Sequence, residues 1–236
     1  MLTCLKLENL VPKKILVLLV LVMFTTMLGR SQQTNSTSQP APTHVVPLKT
    51  FPKDQRFEAV SGDIKKAGEV YVIRIHSEAG YIVMPHFHPE DEHIVIVKGS
   101  WALGMGERFN PGALEIMDVG TYGLVAKKMA HFARSRTDAI VQVHGIGPFT
   151  TTYVTPMYVL TDQGVLLTTS ASEPGQPTSN IPSGCFELKL GTRASGMLGE
   201  GLIIGAQCTP GQLTQYRIEK SDGERFWATS EELKTL

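Results

Sequence analysis

The sequence predicts an all-β protein, on three observations. Short runs rich in β-branched and aromatic residues recur along the chain from Val70. Turn-forming clusters separate them at short intervals, among them Asn110-Pro111-Gly112, Asp118-Val119-Gly120 and Asp162-Gln163-Gly164. No segment sustains the 3.6-residue apolar period of an amphipathic helix. Many short, evenly spaced strands imply a sandwich or barrel.

In chain order, residues 1–31 read as an export signal. Lys13-Lys14 precedes an apolar run from Ile15 to Phe24 that weakens through Met27, and Gly29-Arg30-Ser31 supplies a cleavage point near Ser31. The run is about 14 residues, short of the ~20 a spanning helix needs, so stable membrane insertion after cleavage is not expected. An uncleaved anchor is the alternative reading. Bacterial periplasmic or secreted localisation follows. Residues 32–56 are polar and Pro-rich and read as a linker. The strands expected next are VYVIRI (70–75), HIVIV (93–97), ALEIM (113–117), YGLVA (122–126), AIVQV (139–143), MYVL (157–160) and VLLTT (165–169). They place one barrel over 57–169. SASEPGQPTSNIPSG (170–184) carries three prolines and reads as a second linker. FELKLG (186–191), GLIIGAQ (201–207), LTQYRIEK (213–220) and RFWAT (225–229) then form a small barrel over 185–236, with Asp222-Gly223 as a hairpin turn.

The chain has 236 residues, and Lys+Arg and Asp+Glu balance at 22 each, which removes the electrostatic case for a nucleic-acid partner. Of three cysteines, Cys4 lies in the signal. Cys185 and Cys208 remain either as a disulfide of an exported protein or as two buried thiols.

The chemistry concentrates in GYIVMPHFHPEDEHIVIVKG (80–99). Residues two apart in a strand share a face, so His86 and His88 point the same way, bracketed by Pro85 and Pro89. Glu92 follows the Pro89-Glu90-Asp91 turn and can return beside them. His131 opens another strand and supplies a third imidazole. Three histidines and a carboxylate suit one divalent first-row metal, with Fe, Mn, Zn, Ni, Co and Cu not distinguished. Candidate pocket residues are Met84, Trp101, Lys128 and Phe132. His93, next to Glu92, should face away from the metal. His144 is either a barrel-lining or a hydrogen-bonded core histidine.

These residues resemble the cupin superfamily. Its first motif is Gly, five residues, His-x-His, three or four residues, Glu, six residues, Gly. Gly80, His86, His88, Glu92 and Gly99 meet every spacing. Its second motif, Gly, five residues, Pro-x-Gly, two residues, His, three residues, Asn, is met in spacing by Gly120, Ala126, Lys128, His131 and Ser135, with Pro, Gly and Asn replaced. The resemblance implies a cupin-type double-stranded β-helix, or jelly roll, holding the metal near its centre by His86, His88, Glu92 and His131. Such barrels often pair through edge strands, so a homodimer is one oligomeric state the resemblance allows, alongside a monomer. The C-terminal piece resembles an SH3-like small barrel, through Leu190-Gly191, Gly199-x-Gly201, Tyr216-Arg217-Ile218 and Asp222-Gly223. Tyr216, Phe226 and Trp227 are either its core or exposed contact aromatics.

Two functions follow. One is a metal-dependent enzyme acting on a small organic molecule, an oxidoreductase of dioxygenase type with iron, or a hydrolase or isomerase with other metals. The other is a non-catalytic module that binds a small ligand in the periplasm.

Overall fold

The computed structural model describes residues 45–52 and 55–236. The expected signal segment 1–31, its cleavage point near Ser31 and most of the first linker lie outside the described residues. Val46 to Leu236 form one compact unit.

The strands are β1 (Phe57–Ser61), β2 (Val70–Ser77), β3 (Ile82–Phe87), β4 (Glu92–Lys98), β5 (Ser100–Met105), β6 (Glu115–Asp118), β7 (Tyr122–Val125), β8 (His131–Ser135) and β9 (Ala139–Ile146). There follow β10 (Thr152–Thr161), β11 (Gly164–Ser170), β12 (Gln176–Pro177), β13 (Arg193–Gly196), β14 (Gly199–Thr209), β15 (Leu213–Glu219), β16 (Arg225–Thr229) and β17 (Lys234–Thr235). Two antiparallel sheets face each other, one in the order β1-β2-β9-β4-β7, the other containing β10-β3-β8-β5-β6. This is the cupin-type jelly roll. Alternation along each strand sets its inner face: Glu92, Ile94 and Ile96 of β4 are buried while His93, Val95 and Val97 are not. Ile73, Ile94, Ile96, Met117, Val141 and Val143 close the core between the sheets. Each such side chain contributes about 1.5–3 kcal/mol by leaving water.

One irregularity matters for the site. Val83 pairs with Ala133 and His86 with His131, so β3 carries an extra residue between these pairs. Met84 and Pro85 form a bulge there, and Pro85 has no N–H to leave unpaired.

The second sheet continues past the barrel. Tyr158, Val159 and Leu160 of β10 pair with Cys208, Gln207 and Ala206 of β14, and β15 and β16 extend the same sheet. A second core of Ile203, Tyr216, Ile218 and Phe226 lies under these strands. Tyr216, Phe226 and Trp227 are therefore packed inside, not displayed. Side chains bind the two parts together. Gln215 accepts from Ile82 N at 2.9 Å and donates to Ile82 O at 2.7 Å, imitating a neighbouring strand. Glu78 is 4% exposed. It accepts from Arg217 Nε and Trp227 Nε1, each at 2.8 Å, and from the Arg217 terminal amine. Gly80 (φ +81°) turns the chain so closely under Trp227 O that a Cβ would lie 1.9 Å from it.

Two expectations are revised. The stretch 170–184 does not run free: Gln176–Pro177 pairs with β11, and Thr178 N donates to Val165 O. FELKLG (186–191) forms no strand. Its alternating Phe186, Leu188 and Leu190 pack on the second core as irregular chain, and Leu188 N donates to Tyr216 Oη at 3.2 Å. Alternation reported burial correctly there, without a neighbouring strand to pair with. Cys185 and Cys208 are joined by a disulfide.

Candidate metal centre

The bulge decides which side of β3 reaches the barrel interior. Before it, Val83 faces inward while Ile82 and Met84 pack in a separate cluster with Tyr153 and Met157. After it the phase has changed, and His86 and His88 face inward. Glu92 opens β4 and His131 opens β8, so all four side chains converge at one end of the barrel. The loops that carry them are laced together: Lys128 N donates to His88 O and Lys127 N to Asp91 Oδ1, both at 2.8 Å. Met129 N closes a turn on Ala126 O at 3.1 Å. Within it, Lys128 takes φ +63°, the left-handed conformation that favours glycine. The lysine thus keeps the backbone shape of the glycine it replaces in the resembled motif.

Ligand-type nitrogens of His86, His88 and His131 lie within 4.8 Å of one another, and all three residues are buried. Each Nδ1 faces a backbone carbonyl: His86 that of Met84 at 2.8 Å, His88 that of Thr150 at 2.8 Å, His131 that of Met129 at 3.0 Å. A carbonyl only accepts, so each Nδ1 carries the proton and each Nε2 keeps a free lone pair. Glu92 Oε2 sits 3.2 Å from His131 Nε2 and 3.5 Å from His88 Nε2. Burial, then the neighbouring His131 and His88, holds His86 well below its usual range, and burial also lowers His88. Burial pushes the Glu92 carboxyl up, but the adjoining His131 and His88 side chains outweigh it and leave it below its ordinary value. Three imidazoles that offer Nε2 beside a carboxylate form a donor set for a divalent cation. His88 Nε2 is buried with no hydrogen-bond partner, so it lacks a partner of the kind a metal supplies. The residues fit the group. Phe149 stacks on His88 at 4.7 Å and walls one side.

The four side chains line a cavity of about 900 Å³. Trp101 lines it as well, with its indole N–H buried and unpaired. Met84, Phe132 and Lys128 do not. Met84 lies on the outer side of the bulge, Phe132 is on the opposite face of β8 from His131 and packs on Phe109, and the Lys128 residue is exposed. His93 faces outward, with Nδ1 2.7 Å from Tyr122 Oη. His144 stacks on His93 at 5.1 Å, so it is neither a barrel-lining nor a core histidine. Arg56, Tyr81, Phe149 and Tyr153 also line the cavity and were not singled out from the sequence. They come from the barrel edge and from strand ends whose pairing no local motif announces.

No protein-family model matches the chain, and no curated protein does. Among solved structures, KdgF from Halomonas sp. is 16% identical, with 37% of this chain and 75% of that chain covered and a TM-score of 0.31. An RmlC-like cupin protein from Desulfovibrio desulfuricans is 18% identical, covering 45% and 95%, with a TM-score of 0.34. A cupin superfamily protein from Desulfitobacterium hafniense is 11% identical, covering 44% and 94%, with a TM-score of 0.36.

Proposed function

We propose that the barrel binds one divalent transition metal through Nε2 of His86, His88 and His131 and the carboxylate of Glu92, and acts as an enzyme on a small organic molecule. One observation carries this reading: three buried imidazoles, each fixed by a carbonyl at Nδ1, aim free lone pairs at a single carboxylate-flanked point. When bound there, a metal supplies Lewis acidity toward a ligand oxygen, or a seat for dioxygen if it is iron. The protein's own part is to hold the ligands still and to wall the site with Phe149. Tyr153, whose ring centroid is 6.4 Å from that of His86, is a cavity group with a proton to give. Burial raises its phenol above the usual range, and it stays protonated.

The test is metal content by mass spectrometry of the purified protein and of His88→Ala and His131→Ala. Loss of bound metal in both variants is expected; unchanged content in both ends the assignment. A non-catalytic ligand-binding module is the second reading. What supports it is that, among the described residues, the cavity offers no acid or base beyond the donor set, its tyrosines and the rim groups Lys65 and Glu173. Turnover in a screen of carbonyl and phenolic compounds with metal restored separates the two.

Export to the periplasm or outside the cell remains part of the proposal. It is supported by the segment 1–31 and by the Cys185–Cys208 disulfide, a bond of oxidising compartments. For the C-terminal piece we propose an SH3-like barrel. Its support is the strand order β17-β13-β14-β15-β16, with a 3-10 turn at Ser230–Glu232 before the last strand.

A further inference from the structure

The cavity has a second pole, away from the histidines. β8 begins at His131 and ends at Ser135, four steps of about 3.3 Å, so its ends are roughly 13 Å apart. At the Ser135 end, Ser135 pairs with Trp101, and Ser135 N donates to Tyr81 O. Arg56 lies there too, its guanidinium 4.2 Å from the Tyr81 ring centroid. Trp101, Tyr81 and Arg56 all line the cavity.

The polar groups at this pole are donors in need of an acceptor. Arg56 has no ion pair with any described residue: the nearby Glu78 gives its carboxylate to Arg217 and Trp227. The contact over the Tyr81 ring occupies one side of the guanidinium, and its N–H groups have no side-chain acceptor among the described residues. The Trp101 N–H is buried and unpaired. The hydroxyls of Ser77 and Ser135 are bonded to each other, and neither accepts from Trp101. Between the poles the walls are apolar, formed by Ile75, Val83, Val141 and Val143. Among the described residues, the remaining charges on the cavity, Lys65 and Glu173, sit on exposed chain at its rim and oppose each other in sign.

We propose that the cavity selects an organic acid: an apolar body whose carboxylate is received by Arg56 at the end remote from His86, His88 and His131. This deepens the reading of the cavity as a small-molecule site, and makes Arg56 a specificity-determining residue. A carboxylate matches the planar fork of a guanidinium in two parallel hydrogen bonds, whereas an amide of the same shape offers it one oxygen and no charge.

Calorimetric titration with 3-phenylpropanoate and its isostere 3-phenylpropanamide tests the proposal on the purified full chain, with metal content measured on the same samples. The acid should bind about tenfold or more tightly than the amide, as expected of a charge-assisted pair. Arg56→Gln should bring the two affinities together, and Arg56→Lys should keep part of the difference. In His88→Ala the preference should persist. No binding of the acid at millimolar concentration, or equal affinities in the unaltered protein, overturns the proposal. So does a preference that survives Arg56→Gln and disappears in His88→Ala, because the acid then sits at the histidines. A protein free of metal that still prefers the acid through Arg56 overturns the metal reading alone.

Discussion

Replacing Arg217 by Met should show how firmly the C-terminal strands and the barrel are joined. Glu78 is buried and accepts three hydrogen bonds, two from Arg217 and one from Trp227. Arg217→Met removes two of them and leaves the carboxylate with the Trp227 hydrogen bond and the more distant charge of Arg56, where breaking a buried pair costs about 3–5 kcal/mol. The Arg217 side chain is 22% exposed, so water can reach part of the vacated space. The low end, about 3 kcal/mol, is therefore expected. Urea unfolding followed by circular dichroism and by tryptophan fluorescence gives the value. Both probes should move in one coincident transition. Burial pushes the Glu78 carboxyl up, but the hydrogen bond and charge of Arg217, the charge of Arg56 and the Trp227 hydrogen bond hold it lower than usual. A depressed carboxylate gives stability that is complete above its unfolded pKa of about 4.3 and is lost as pH falls through the folded value. The gap between wild type and variant should accordingly narrow below about pH 4. A cost under about 1 kcal/mol, or two separate transitions, would refute the claim that this buried pair couples the two parts.

Three other outcomes are expected. Lys128→Gly should stabilise the protein by about 0.5–1 kcal/mol in thermal or urea unfolding, since φ +63° costs a lysine more than it costs glycine. Metal-free protein should lose stability as pH falls below about 6.5, at up to about 1.4 kcal/mol per pH unit for each of His86 and His88. Their folded values are depressed, so protonation favours the unfolded chain; Glu92 adds a loss of the same sign at lower pH, and bound metal should move the fall to more acid pH. Cys208→Ser should cost about 3 kcal/mol, the loop-closure entropy for a sequence separation of 23, read from the shift in urea midpoint.

The candidate donor set was legible in the sequence because it depends on spacing along two short segments. His86 and His88 share a face by strand periodicity alone, and Glu92 follows across one turn. The pocket was less legible. Met84 has the parity of His86 and His88 and was expected with them; the bulge between Val83 and His86 breaks that parity. Phe132 was expected beside His131, but adjacent residues of a strand face opposite ways. Arg56 and Tyr153 join the cavity through pairing over long sequence distances, which no window of sequence displays. The same is true of the C-terminal strands. Their composition suggested a separate small barrel, and only the pairing of Tyr158–Leu160 with Ala206–Cys208 shows one sheet running through both.

The bulge at Met84 and Pro85 also bears on which insertions and deletions this strand can survive. Dropping one of the two would restore plain alternation while His86 still faced His131, so the loss of a residue there need not disturb the imidazoles. Dropping Phe87 instead would turn His88 to the far side of the sheet. Two neighbouring positions thus differ in how freely the chain can change length during evolution, and the difference follows from geometry with no reference to which amino acids occupy them.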